Sequence, residues 1–157
     1  MKKGWIVLII LSLLLIACEK HKTLDITDQC EFHEIILSPC FYGITNLSND
    51  NYVIIRNNEA YLNFANSIRI HPYNTNCDTA ILPVIDFNKY SLLGRNTSGG
   101  GCGATYDRQI LKDIDDKKII YKINVQYEGS CYILIENWNW VYIPKLEKGY
   151  SVEFQVN

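Results

Sequence analysis

Over residues 119–127 the chain alternates in a period of two. Ile119, Tyr121, Ile123, Val125 and Tyr127 fall on one side, and Ile120, Lys122, Asn124 and Gln126 on the other. That is the period of a strand with one face on a core. The same alternation returns at Tyr150, Val152, Phe154 and Val156, interleaved with Ser151, Glu153 and Gln155. The polar stretch 113–118 reads as a turn joining a strand over 104–111 to the one over 119–127, which makes the two a hairpin. Residues 131–135 and 140–143 supply further strands, and Glu147-Lys148-Gly149 the last tight turn. One segment has helical spacing instead: Tyr61, Phe64, Ala65 and Ile68 recur on one face, behind Asn57-Asn58 as a cap. Ser38-Pro39, Asn49-Asp50-Asn51 and Pro72-Tyr73-Asn74 punctuate the rest. The pattern predicts a single α+β domain, mainly an antiparallel sheet with one short helix.

The first residues belong to a different regime. Lys2 and Lys3 precede a nearly unbroken apolar run over 5–16, and the run closes on Leu15-Ile16-Ala17-Cys18. A basic start, a short apolar segment and a small residue at the cut define a secretory signal. A cysteine directly after the cut marks the lipoprotein kind, in which the Cys18 sulfur takes the lipid. A retained membrane helix would need about 20 apolar residues, whereas Glu19, Lys20, His21 and Lys22 follow at once. The expected organisation is a cleaved signal peptide over 1–17, a lipidated polar tether over 18–29 and a folded domain over 30–157. Glu19 is not the aspartate that retains enterobacterial lipoproteins in the inner membrane, so the expected location is the outer membrane, on its periplasmic or its surface face.

Removing residues 1–17 leaves 13 basic against 17 acidic residues. A mildly acidic domain of this kind lacks the basic footprint of a nucleic-acid binder. Export also places the cysteines in an oxidising space, where disulfides persist. With Cys18 lipidated, Cys30, Cys40, Cys77, Cys102 and Cys131 remain, an odd number. No C-x2-C or H-x3-H spacing suggests zinc. In the predicted hairpin Cys102 falls opposite the far end of the 119–127 strand, and Cys131 lies just beyond that end. A Cys102–Cys131 disulfide is therefore expected. Cys40 with Cys77 is the next pairing, which leaves Cys30 as a thiol beside the tether.

The stretch Ile85-Asp86-Phe87 followed by Leu92-Leu93-Gly94 leads to Gly101-Cys102, then to Cys131. Beyond these come Trp140-Val141-Tyr142-Ile143-Pro144-Lys145-Leu146 and Gly149-Tyr150-Ser151-Val152-Glu153-Phe154. In this order the chain, over roughly 50–157, resembles a group of small lipoproteins of Bacteroidetes-type bacteria. More distantly it is similar to the PrcB-like domain of a protease-complex subunit. The resemblance implies a small α+β lipoprotein domain and brings no catalytic residues with it. On the residues alone, Ile85 and Phe87 face one side of a strand and Asp86 the other. Leu92-Leu93-Gly94 is a buried strand end before a loop over 95–101, and Pro144 marks where a strand leaves the sheet.

Candidate chemistry is sparse. Ser98-Gly99-Gly100-Gly101-Cys102-Gly103 is glycine-rich, but the lysine and the helix of a phosphate loop do not follow. It reads as a flexible hairpin approach to the disulfide. His21, His33 and His71 sit in tether or turn contexts and are not placed beside a thiol. Asp113, Asp115 and Asp116 lack the glycine and closing glutamate of a calcium loop and read as a solvated turn. Asp86 and Asp107 could be paired carboxylates, but Asp86 is better explained by a buried ion pair with Arg95 or Lys145. Trp138 and Trp140 share a face of an extended segment with Tyr132 and Tyr142 nearby. Trp140 reads as core, and Trp138 is the candidate binding surface.

The expected function is a non-enzymatic, membrane-anchored binding or assembly module of the cell envelope. It would have a membrane contact through the lipid, a protein partner, and neither cofactor nor nucleic acid. The PrcB-like similarity offers an alternative, a protease-associated subunit or inhibitor.

Overall fold

A computed structural model describes residues 28–37, 51–69 and 82–157. The signal peptide, Cys18, nearly all of the tether, Cys40, Cys77, His21 and His71 lie outside the described residues.

The described elements in chain order are β1 (Asp28–Gln29), β2 (His33–Glu34), β3 (Tyr52–Ile55), α1 (Asn58–Arg69), β4 (Tyr90–Gly100), β5 (Gly103–Asp113), β6 (Lys118–Glu128), β7 (Leu134–Pro144) and β8 (Ser151–Val156). They form two four-stranded sheets, of order β1-β5-β6-β8 and β2-β7-β4-β3. The predicted content of strands with one helix is present. The arrangement is not one antiparallel sheet but two sheets face to face, with the helix on the outer side of the second.

The β5–β6 hairpin is where the alternating pattern put it, with rungs from Gly103↔Glu128 to Asp113↔Lys118. Its turn is closed by Asp113 Oδ1, which accepts the Asp116 N–H at 2.9 Å, and Lys117 takes a positive φ of 49°. Ile119, Tyr121 and Ile123 turn inward, as expected. Ile120 is buried as well, on the opposite face, flanked in register by Leu111 and Glu153. β8 also turns Val152 and Phe154 inward, but it lies parallel to β6, against the antiparallel expectation. The reason is the route. β7 ends at Pro144 in the second sheet, and the Lys145 and Leu146 N–H groups bond Lys89 O and Ser91 Oγ. The Glu147–Gly149 turn, with Gly149 at φ 90°, then delivers the chain to the other sheet.

The second sheet departs further from expectation. Residues 95–100 are not a loop. β4 runs unbroken to Gly100 and pairs with β7 over eleven rungs, so 131–135 and 140–143 are not separate strands either. Both of its faces are covered. Leu93, Val141 and Ile143 meet Ile110, Tyr121 and Ile123 between the sheets. Leu92, Trp138, Trp140 and Ile55 meet Tyr61, Phe64 and Ala65 of α1 on the other side. Each such side chain removed from water contributes roughly 1.5–3 kcal/mol. The helix starts as predicted, with Asn57 Oδ1 accepting the Ala60 N–H at 2.8 Å. Gly94 has a specific task here: the Trp140 ring lies where its Cβ would be.

Three other expectations need correction. Ile85 and Phe87 are not in a strand, because residues 82–89 form an irregular approach to β4. Asp86 makes no buried ion pair with Arg95 or Lys145. It is half-exposed, accepts the Asn88 N–H through Oδ1 at 3.0 Å, and lies 3.7 Å from Lys89. Lys145 instead donates to Phe87 O at 2.7 Å. The folded part also begins earlier than residue 30, since Asp28 and Gln29 pair with Lys112 and Leu111.

Candidate functional site

Two chain connections cross from one sheet to the other at the same end of the molecule. One joins β4 to β5 and carries Cys102; the other joins β6 to β7 and carries Cys131. The predicted disulfide ties them together, with Cα atoms 4.8 Å apart. Backbone bonds reinforce the junction: Gly101 N–H donates to Ile133 O at 3.2 Å, and Cys102 N–H to Glu128 O at 2.6 Å.

Three glycines at this end, Gly99, Gly101 and Gly129, sit where a side chain would collide, and residues 98–100 are paired strand rather than a flexible hairpin. The Tyr127 ring occupies the space a Cβ on Gly99 would need. A Cβ on Gly101 would come within 3.0 Å of Glu128 O. Gly129 adopts φ 77° over the Cys102 side chain, a conformation that favours glycine.

This braced end holds three consecutive apolar residues in water. Tyr132 is fully exposed, Ile133 is 55% exposed and Leu134 is 68% exposed. These three side chains are contiguous rather than singly scattered over the surface. Glu128 and Glu136 flank the patch and are also exposed. The N-terminal segment joins at the opposite end, where β1 pairs with Leu111 and Lys112 near the β5–β6 turn.

The aromatic candidate chosen from sequence is elsewhere. Trp138 is 6% exposed and stacks on Trp140, with centroids 5.2 Å apart and an interplanar angle of 17°. Phe64 of α1 packs edge-on against Trp140 at 5.4 Å. Trp138 is thus core, buried because the second sheet is covered on its helix side as well as its inner side. Trp138 lies mid-strand in β7, whereas the exposed run Tyr132-Ile133-Leu134, directly after a cysteine, lies at its start. Sequence reasoning passed over that run.

A second polar constellation lies inside the sandwich. Asn139 is fully buried, and its Oδ1 accepts from Arg108 Nε at 3.1 Å, Arg108 Nη2 at 2.7 Å and Asn137 Nδ2 at 3.2 Å. Its Nδ2 donates to Thr97 Oγ1 at 3.0 Å and Arg95 O at 3.3 Å. Arg108 also pairs with Glu34 at 2.9 Å and stacks over Tyr106 at 5.2 Å. Burial pushes the Tyr121 hydroxyl far above its usual range, with the Arg108 charge acting in the opposite direction. A network whose members satisfy one another fixes how the sheets meet. It joins β5, β7, β4 and β2 rather than opening to a ligand.

The remaining candidates are dispersed. His33 stacks on Tyr142 at 4.8 Å, and Asp107 accepts from Asn124 at 3.4 Å on the outer face of the first sheet. Cys30 lines a cavity of about 60 Å³ together with Ile143 and Tyr150. Asp113, Asp115 and Asp116 form the solvated turn expected. Among the described residues there is no group of three His, Cys, Asp or Glu side chains suited to a metal, and no helix long and apolar enough to cross a membrane. No protein family, curated protein or solved structure matches the chain.

Proposed function

We propose that this protein is a lipid-anchored module of the bacterial cell envelope that binds or assembles with a partner protein and has no enzymatic activity of its own. The anchor rests on the Leu15-Ile16-Ala17-Cys18 motif, and Glu19 directly after it supports the outer membrane as its location. The observation that carries the binding role is the exposed Tyr132-Ile133-Leu134 tip, braced by Cys102–Cys131 at the end away from the N-terminal segment. A rigid apolar tip suits docking because little freedom is lost when a partner covers it.

Two measurements test this reading. Metabolic labelling with an alkynyl palmitate should mark the wild-type chain and not Cys18→Ala. A photo-crosslinker at Tyr132 should give a discrete adduct with a partner protein, and one at Lys148 should not. Ile133→Ser with Leu134→Ser should weaken that adduct. Equal, diffuse crosslinking from both positions would count against the tip. An adduct identified as a protease would favour the PrcB-like alternative.

A further inference from the structure

β8 is an edge strand, and among the described residues its outer side carries no further strand. In its parallel ladder with β6, Ser151 N–H bonds Lys117 O, and Asn157 both donates to Ile123 O and accepts from Val125 N–H. Odd-numbered residues of β8 therefore turn their backbone groups toward β6. Those of Val152, Phe154 and Val156 point outward, and no described strand pairs with that side; Arg56 Nη2 donates to Tyr150 O at 3.1 Å just before the strand begins.

Natural edges are usually guarded by lysine, proline, a bulge or a cover. Ser151–Val156 has no lysine, proline or glycine, and its backbone runs six regular residues against β6. Its single charge, Glu153, is held by Lys118 Nζ at 2.9 Å and by the Gln155 amide at 2.7 Å. Val156 is 41% exposed. Tyr52 is 36% exposed at the same edge, where it stacks on Phe154 at 4.9 Å.

We infer that this edge pairs with the same edge of a second copy, giving a symmetric dimer in which β8 meets β8 antiparallel across Phe154. The register follows from the backbone. Outward-facing residues of one strand must lie opposite outward-facing residues of the other, so the two-fold axis passes through one of residues 152–156. An axis through Glu153 would set two carboxylates directly opposite each other. Of the other positions, only Phe154 pairs the whole strand. It sets Phe154 against Phe154 and Val152 against Val156 on the inner face, and Glu153 against Gln155 on the outer face. Apolar residues meet apolar ones, and each carboxylate meets an amide rather than its own copy. The two sheets merge into one of eight strands, and the exposed Val156 is covered. The pairing uses neither the tip nor the lipid anchor, so its failure and the failure of the reading above are distinguishable; it sets the anchor end of each copy beside the tip end of the other, so an anchored dimer lies with its strands along the membrane.

Residues 153 and 155 would form the non-hydrogen-bonded pair, with Cα atoms about 4.5 Å apart, close enough for a disulfide. The experiment uses the full chain in membranes, carrying Glu153→Cys on one tagged copy and Gln155→Cys on a second copy. Mild oxidation should crosslink the mixture about tenfold more than either variant alone, with the wild type as a control for the native cysteines. Absence of a crosslink in the mixture, or equal crosslinks in each variant alone, overturns the register. Light scattering of the detergent-solubilised chain gives an independent readout. The wild type should have the mass of two chains, and Val152→Pro, which removes one outward N–H and no bond to β6, the mass of one. Unchanged far-UV circular dichroism of that variant shows that it has folded. A wild type that is one chain at all concentrations overturns the dimer itself.

Discussion

Each of the two sheets is built around a pair of eleven-residue strands, and the pairs behave differently. β5 and β6 keep one face on the core and the other largely in solvent. β4 and β7 are covered on both faces, by the first sheet on one side and by α1 on the other. In the first sheet, the residues that matter can be chosen every second position. In the second, adjacent residues such as Leu92 and Leu93, or Trp140 and Val141, are buried in different layers. A two-faced sheet ties more of its sequence to packing, so it should be the less tolerant of change.

The largest expected effect breaks the helix layer. Trp140→Ala should cost about 3–5 kcal/mol, the range for truncating a buried aromatic, as read by urea unfolding. Gly94→Ala should act through the same ring, since its new Cβ would meet Trp140. The matched change in the one-faced sheet, Phe154→Ala, should cost clearly less, because Phe154 is only half-buried. Equal costs would refute the contrast. Removing the disulfide with Cys102→Ser and Cys131→Ser opens a span of 29 residues. It should cost roughly 3–4 kcal/mol by chain entropy, and hydrogen exchange should localise the loosening to the tip. Asn139→Leu leaves the buried Arg108 without its amide partner and should cost about 1–3 kcal/mol or more. A neutral outcome would mean that the network is replaceable by apolar packing.

The smallest effects lie on the exposed side of the comparison. Tyr132→Ser should change stability by less than about 0.5 kcal/mol while weakening partner crosslinking. The hydrogen bond from Lys118, with a second from Gln155, holds the Glu153 carboxyl below its ordinary range. A depressed carboxylate contributes stability above its unfolded value and loses it as the pH falls through the folded one. Acid titration should show a small loss there, smaller in Lys118→Met, where only the Gln155 hydrogen bond remains, and reduced by salt.

The contrast also explains what could be read from sequence. One-faced strands announce themselves by alternation, which is why the β5–β6 hairpin, its turn and the Cys102–Cys131 pairing were legible. The inward side of β8 was legible for the same reason. β4 and β7 carry no alternation across their buried middle, so β4 looked like a short strand followed by a loop. The glycines at 99–101 deepened that impression, because glycine reads as a turn unless the side chain packed against it is known. Tyr127 supplies that side chain from the other sheet, a partner that local sequence does not reveal. Trp138 was misplaced for a related reason: an indole pair on one face looks the same whether a helix covers it or not. The parallel entry of β8 depends on which sheet the chain enters after Gly149, a choice made by long-range packing. Asn139, a polar residue between two tryptophans, was a signal of a buried network and can be read as one in hindsight.

The N-terminal segment has a mechanical consequence. β1 and β2 are held by two rungs each, whereas the β5–β6 and β4–β7 ladders have eleven. A pull between the anchor and the tip loads the short ladders first, together with the Arg108–Glu34 pair and the buried Leu37. Releasing residues 28–37 would lengthen the tether by roughly 33 Å at extended-chain spacing. The long ladders would still be intact at that point and loaded along their strands, where many rungs must shear together. In the proposed lipid-anchored form, the segment would act as a slack reserve, letting the domain follow a partner before its fold is strained.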